Sequence, residues 1–403
     1  MRPLTRHVLL LGGGQTLGYA SSYYLPALLA APMAQDTGLP LAWAFAAFSL
    51  ALIVSGVVGP AAGRAVDRYG GRRVLLLSNL LFAAGLLAMA GAQGPVSLFA
   101  AWGVLGLAMG AGLYESAFAA LVGLYGHGAR GGITGITLLG GFASTVGWPL
   151  SAWMEVHWGW RGACLGWAAL HLLVGLPLHA WLPRQSPAKP HPGNAPTSSD
   201  NASARTLPTL PAPARAQRTT LILSLVFAVA WFGSTALATH LPQLLQAAGL
   251  ALPHAVAVAS LVGPAQVAGR LLDFGLLRRL HPLLAAKLAA AAHPVGAVLL
   301  LLLGAPAALA FTLLHGAGNG VLTIAKGTLP LLYFGTQGYG ERQGVLMVPA
   351  RIAQALAPVV FGALMQRVGV AALLLTALLG TLAWLALSAL GEPPAPAQTR
   401  TMA

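Results

Sequence analysis

The chain has 403 residues, 57% of them hydrophobic and only 7% charged, with a mean hydropathy of +0.74. Soluble domains carry roughly 25% charged residues, so this composition excludes a water-soluble globular protein. The formal charge of +14 would suit nucleic acid, but the placement of the basic residues argues against that partner.

Twelve apolar stretches are predicted as membrane spans, at 8–30, 41–64, 73–92, 96–123, 132–156, 161–182, 219–247, 254–274, 283–303, 306–331, 343–366 and 370–390. Each is near the ~20 residues that cross a bilayer as a helix. With the N-terminus inside, the basic residues gather on one side, among them Arg2, Arg6, Arg64, Arg68, Arg72, Arg73, Arg130, Lys189, Arg205, Arg278, Arg279 and Arg400. The other side receives only Arg161 and Arg367. Positive charge marks cytoplasmic loops, so both termini are expected in the cytoplasm of an integral plasma (bacterial inner) membrane protein. Anionic lipid is the partner this charge implies. Arg2 and Arg6 before an apolar run also fit a signal peptide, but the internal repeat favours a retained first span. Cys164 is the only cysteine, which excludes a disulfide framework and a thiolate metal site.

The long polar interruption, 183–218, holds Pro183, Pro187, Pro190, Pro192, Pro196, Pro208, Pro211 and Pro213. Such density of proline without large apolar residues reads as a linker. It separates an N-terminal six-helix half, 1–182, from a C-terminal half with a short cytoplasmic tail, 219–403. The halves echo each other. Leu25-Pro26 recurs as Leu241-Pro242, Gly63-Arg64 with Asp67 as Gly269-Arg270 with Asp273, and Gly110-Ala111-Gly112 as Gly316-Ala317-Gly318, at offsets of 216, 206 and 206. Three matches in order point to duplication.

Between spans 2 and 3 runs Gly63-Arg64-Ala65-Val66-Asp67-Arg68-Tyr69-Gly70-Gly71-Arg72-Arg73. Gly63, Asp67, Arg68, Gly70 and Arg72 fit the loop G-x-L-x-D-R-x-G-R-[RK], while Ala65 and Gly71 depart from it. With six spans either side of a long loop, the chain resembles the major facilitator superfamily over 7–390. That resemblance implies an all-α membrane fold of twelve helices in two pseudo-repeats. It also implies a substrate site lined by spans 1, 4, 7 and 10, and a gating role for Asp67 at the start of span 11. Asp273 would play the same part at the start of span 5, near Arg130. Gly63, Arg68, Gly70, Arg72, Gly269 and Arg270 belong to the same gating elements. Gly159-Trp160-Arg161 and the Gly-Arg near the end of span 8 are similar to monocarboxylate and oxalate/formate porters. Gly147-Trp148-Pro149 only loosely follows the antiporter pattern.

A charge at bilayer depth costs ~2.5 kcal/mol or more, so its presence suggests a protein-lined or wet surrounding. Glu115, Lys326 and Arg351 are such charges. Arg351 and Lys326 are candidates for attracting an anionic substrate, and Glu115 for binding the coupling proton. Lys326 could instead snorkel to the surface or form a structural pair with Glu115, and Arg351 could bond helix carbonyls. Lys326 shares a helical face with Asn319 and Thr323. On span 1, Gln15, Tyr19 and Tyr23 recur every four residues, and the repeat maps them to Trp231, Thr235 and Thr239. Such aromatic and hydrogen-bonding walls suit a small organic solute, or else helix–helix contact. Among the intramembrane histidines, His171, His240, His293 and His315, none has a partner at metal-ligand spacing. His240 beside Pro242 is the best proton candidate. No nucleotide-binding motif is present, and no metal or cofactor is expected.

These residues lead to a secondary active transporter of small organic solutes, proton-coupled and favouring anions such as monocarboxylates, working as a monomer by rocker-switch alternating access. A proton-antiport efflux pump for drugs or metabolites is the alternative. A membrane enzyme is disfavoured, because eight scattered acidic residues supply no convergent catalytic group.

Overall fold

The computed structural model describes residues 3–184, 213–277 and 280–391. The proline-rich stretch 185–212, with Lys189 and Arg205, lies outside the described residues, as do Arg2, Arg278, Arg279 and Arg400. The described residues form helices and no strand. In a bilayer the backbone has no water to bond, so helices are the form in which an apolar chain satisfies its own amides.

The first predicted span is two helices, α1 (Pro3–Ala20) and α2 (Pro26–Asp36), joined by a non-helical turn at 21–25. Pro26 has no amide to donate and opens α2 at its first position, where no helical donor is needed. Then come α3 (Leu41–Tyr69), α4 (Gly71–Ala90), α5 (Pro95–Gly112), α6 (Tyr114–Tyr125), α7 (Arg130–Gly140), α8 (Ala143–Leu170) and α9 (Leu176–Ala180). Gly159 breaks α8 with φ 68°, and a π-helical turn, His171–Gly175, precedes α9. The second set is α10 (Pro213–Ala247), α11 (Leu252–Ala259), α12 (Val262–Gly275), α13 (Pro282–Leu303), α14 (Ala308–Phe334), α15 (Tyr339–Val368) and α16 (Leu373–Ser388). Leu25-Pro26 and Leu241-Pro242 match in sequence but not in shape, since Pro242 lies inside the continuous α10.

Eight described stretches are long and apolar enough to cross a membrane. One of them, Pro95–Ala180, has 86 residues, far more than one ~20-residue crossing needs. Dividing it at Gly126 and Gly159, dividing Tyr339–Ser388 at Gly369, and adding Pro3–Asp36 yields the twelve expected passes. Val57, Leu302 and Leu378 are among the large apolar side chains left on the outside, as a lipid-facing surface requires.

One apolar core is built almost wholly from residues before Pro183, and two further cores from 223–390. The repeated glycines make repeated contacts. A Cβ on Gly110 would press on the Ser55 carbonyl of α3, and one on Gly316 on the Val262 carbonyl of α12. Both positions bring backbones closer than a larger residue permits.

Candidate functional site

At the basic end of the bundle, α3 turns into α4 through Gly70, whose φ of 83° only glycine adopts without strain. Asp67, in the last turn of α3, accepts the backbone N–H groups of Gly340 and Glu341, each at 2.9 Å. These are the second and third residues of α15, and the residue before the helix is Gly338, which has no side chain. Asp67 therefore supplies from another helix the carboxylate that an N-cap residue normally provides. Beside it Arg64 pairs with Glu341 at 2.9 Å. A Cβ on Gly63 would collide with the Gly340 carbonyl, so this approach of α3 to α15 depends on glycine. Arg68 lies over Tyr69, and Arg72 is partly buried in the first turn of α4.

The duplicate of this arrangement differs. Gly269 packs on Ala317 of α14, in its own set of helices. Asp273 makes no hydrogen bond to the start of α7 among the described residues. It lines a space with Arg130, whose guanidinium donates to the Leu280 carbonyl at 3.4 Å. Phe274 and Leu276 stand where Arg68 and Gly70 follow Asp67.

Deeper in the bundle, Glu115 holds two cations. Lys326 Nζ donates to Glu115 Oε1 at 3.0 Å and Arg351 Nη2 to Oε2 at 3.2 Å. Lys326 is 0% exposed and does not snorkel. Leu113 leaves helical geometry at ψ −167°, so α6 begins afresh and Glu115 stands in its first turn. That turn favours a carboxylate. Lys326 Nζ also lies 4.8 Å from the Trp231 ring centroid and 5.0 Å from that of Tyr114, at cation–π range. Arg351 Nη1 donates to Gln354 Oε1 at 3.0 Å. Gln354 Nε2 in turn donates to Tyr23 Oη at 3.3 Å and Thr235 Oγ1 at 3.4 Å, and those two hydroxyls are 3.2 Å apart. Tyr19 stacks obliquely on Tyr114 with centroids 4.7 Å apart. Gln354 was not foreseen from sequence. Its spacing of three from Arg351 puts it on the same helical face, which was the available signal.

Other foreseen residues have local tasks. Gln15 Nε2 donates to the Gly112 carbonyl at 2.8 Å, a group left over where α5 ends. Asn319 donates to Ser234 at 2.9 Å, and Thr323 donates back to the Asn319 carbonyl. His240 bonds the Pro358 carbonyl at 2.9 Å and Gln243 at 3.0 Å. Arg161 pairs with Asp36 at 2.8 Å and donates to Ala90 and Ala92 carbonyls, tying three helix ends together.

Arg270 stands apart from the gating elements with which its sequence motif grouped it. It is 5% exposed, and its Nε and Nη1 have no hydrogen-bond partner among the described residues. Nη1 presses against Gly141, just past the end of α7. The guanidinium is near enough to Lys326, Tyr114 and Tyr24 to act on each electrostatically. The cavity beside Glu115 and Arg351 amounts to about 10 Å³, room for little more than one water and far below the ~300 Å³ of ordinary ligand pockets. The structure thus has this site closed.

Helices long and apolar enough to cross a membrane, a carboxylate-capped contact between α3 and α15 at one end and a cluster of buried charges at depth fit a membrane transporter. The chain belongs to the Major Facilitator Superfamily, whose family model matches residues 11–313. It is a secondary transporter of small molecules and not an enzyme. The human organic anion transporter MFSD10 (TETRAN) has a similar fold, with TM-score 0.69 and 18% identity over 96% of this chain and 100% of that one. The Escherichia coli fucose:proton symporter FucP is similar at TM-score 0.72 and 13% identity, over 95% and 97%. The proton:xylose symporter XylE is similar at TM-score 0.68 and 12% identity, over 95% and 94%. In sequence, an "Uncharacterized 38 kDa protein in 23S RNA operon" of Thermoproteus tenax is 38% identical over 152 residues, 38% of this chain. The matched stretch spans 39% of that curated relative's length.

Proposed function

We propose that the protein carries small organic anions such as monocarboxylates across the membrane, coupled to protons, by rocker-switch alternating access. The observation that carries this reading is Arg270, a buried guanidinium with two unpaired nitrogens, beside a triad of two cations and one carboxylate. The third guanidinium nitrogen of Arg270, Nη2, donates to Gln266 Oε1 at 3.5 Å. A buried cation this sparsely bonded is unfavourable, and an arginine fork matches a carboxylate in two hydrogen bonds. The triad has a surplus positive charge of one, and Arg270 adds another. A substrate carboxylate offsets that excess. Protonation of Glu115 would release Lys326 and Arg351 toward the substrate, which links the proton to the anion.

In this reading the basic end is cytoplasmic, residues 1–182 and 219–403 are the two rotating halves, and 183–218 joins them. Asp67 and α15 then form the cytoplasmic gate, and Tyr19, Tyr23, Trp231, Thr235, Asn319 and Thr323 the walls of the site. His240 serves as a brace for the Pro358 bend.

The test is uptake into proteoliposomes of labelled short monocarboxylates and of lipophilic cations, with and without an imposed pH gradient. Carboxylate accumulation driven by the gradient and lost in Arg270→Ala is the expected result. Gradient-driven cation movement without carboxylate uptake would establish the efflux pump instead.

A further inference from the structure

Pro330 lies inside α14. Proline has no N–H, so the carbonyl four residues earlier, that of Lys326, loses its helical donor, and ring crowding loosens the neighbouring bond. Two side chains of α15 fill the gap. Gln343 Nε2 donates to the Lys326 carbonyl at 2.9 Å, and the Tyr339 hydroxyl donates to the Gly327 carbonyl at 2.7 Å. Both side chains are buried. The capped backbone is that of the lysine whose ammonium meets Glu115 at 3.0 Å.

Tyr339 is also the first residue of α15, and the next two carry the N–H groups that Asp67 accepts. One short stretch, 339–343, thus faces the gate with its backbone and the Pro330 kink with its side chains. Gln343 Oε1 is buried and has no partner among the described residues, so this amide is under-bonded even while the gate is shut.

We propose that Tyr339 and Gln343 are positioning residues that transmit the state of the Asp67 gate to Lys326 through the Pro330 kink. The proposal rests on the reading of Glu115 and Lys326 as the coupling site. When the first turn of α15 leaves Asp67, the tyrosine hydroxyl and the glutamine amide leave with it. The carbonyls at 326 and 327 then lose their donors, the bend of α14 changes, and Lys326 withdraws from Glu115. Glu115 contacts Lys326 on α14 and Arg351 on α15, and Tyr339 on α15, Tyr114 on its own helix and Tyr19 on α1 are the titratable groups within electrostatic reach of it.

The experiment is an infrared pH titration of the Glu115 carboxyl in the full-length protein, with the band assigned by its loss in Glu115→Gln. Asp67→Ala is placed in the wild type, in Tyr339→Phe and in Tyr339→Phe/Gln343→Leu. In the wild type, Asp67→Ala is expected to change the proton affinity of Glu115 about fivefold or more, the scale of ordinary coupling between sites. In the double background the change is expected to fall below about twofold. An equal change in all backgrounds, or none in the wild type, overturns the proposal. Tyr339→Phe removes a single oxygen, so if the glutamine variant does not fold, an undiminished effect in Tyr339→Phe alone overturns it. The titration uses no substrate, so failure of the organic-anion reading, seen as absent carboxylate uptake, is a separate result.

Discussion

Glu115 is acceptor to two buried cations at once, and its removal leaves both without a counter-charge. Losing one partner of a buried ion pair costs about 3–5 kcal/mol, so Glu115→Leu should lower the melting temperature in detergent markedly. Glu115→Leu combined with Lys326→Met should recover part of that loss, because one orphaned charge goes with it. Glu115→Gln keeps the shape and one acceptor oxygen, and the expected result is a folded protein whose transport no longer depends on pH. Unchanged pH dependence would remove Glu115 from coupling. Arg351 bonds both Glu115 and Gln354, so Arg351→Ala should weaken carboxylate binding and loosen the Tyr23–Thr235–Gln354 network together. Arg351→Lys keeps the charge but not the fork, and is expected to bind a carboxylate probe more weakly than wild type while outperforming the alanine variant in a thermal-shift titration.

At the scale of elements, the helix breaks carry the site. The turn at 21–25 puts Tyr23 beside Thr235, the break at Leu113 gives Glu115 a helix start, and Pro330 frees the Lys326 carbonyl that Gln343 of α15 caps. The contact of α3 with α15 is equally local. Because a Cβ on Gly63 meets the Gly340 carbonyl, Gly63→Val should separate the two helices, read as a longer distance between spin labels at their basic ends. The sequence made the helices themselves plain: the twelve apolar stretches fall within a few residues of the observed helices. It did not reveal that 8–30 is broken, since a lone Leu-Pro pair reads alike in the broken span 1 and the unbroken span 7.

For the whole molecule, the contact between α3 and α15 is, in the proposed cycle, what sets which way the transporter faces. A carboxylate at a helix N-terminus contributes about 0.3–1 kcal/mol, and up to ~2 when partly buried. Asp67→Ala should accordingly shift the ratio of the two states about fivefold toward opening at the basic end, since 1 kcal/mol is about that factor. Spin-label distances across that end measure it, and an unaltered distribution would count against gating. The duplicated Asp273 sits where it caps no helix start among the described residues, so Asp273→Ala is expected to produce a smaller shift than Asp67→Ala in the same measurement.

Composition and periodic apolar stretches were enough to define a membrane protein of helices, because a bilayer admits few backbone solutions and each leaves a long apolar run. The loop from Gly63 to Arg73 carried the family because its residues form one contiguous motif, although Gly63 and Asp67 make their contacts on Gly340 and Glu341 far along the chain. The pairing of Glu115 with Lys326 was one alternative and its sharing with Arg351 was not anticipated, because the residues lie 211 and 236 apart and no spacing rule spans such a separation. Arg270 shows the same limit: its motif grouped it with the gating residues, whereas its buried guanidinium packs against Gly141 with Nε and Nη1 unbonded among the described residues. Which charges meet is decided by how the helices pack, and only the tertiary structure contains that.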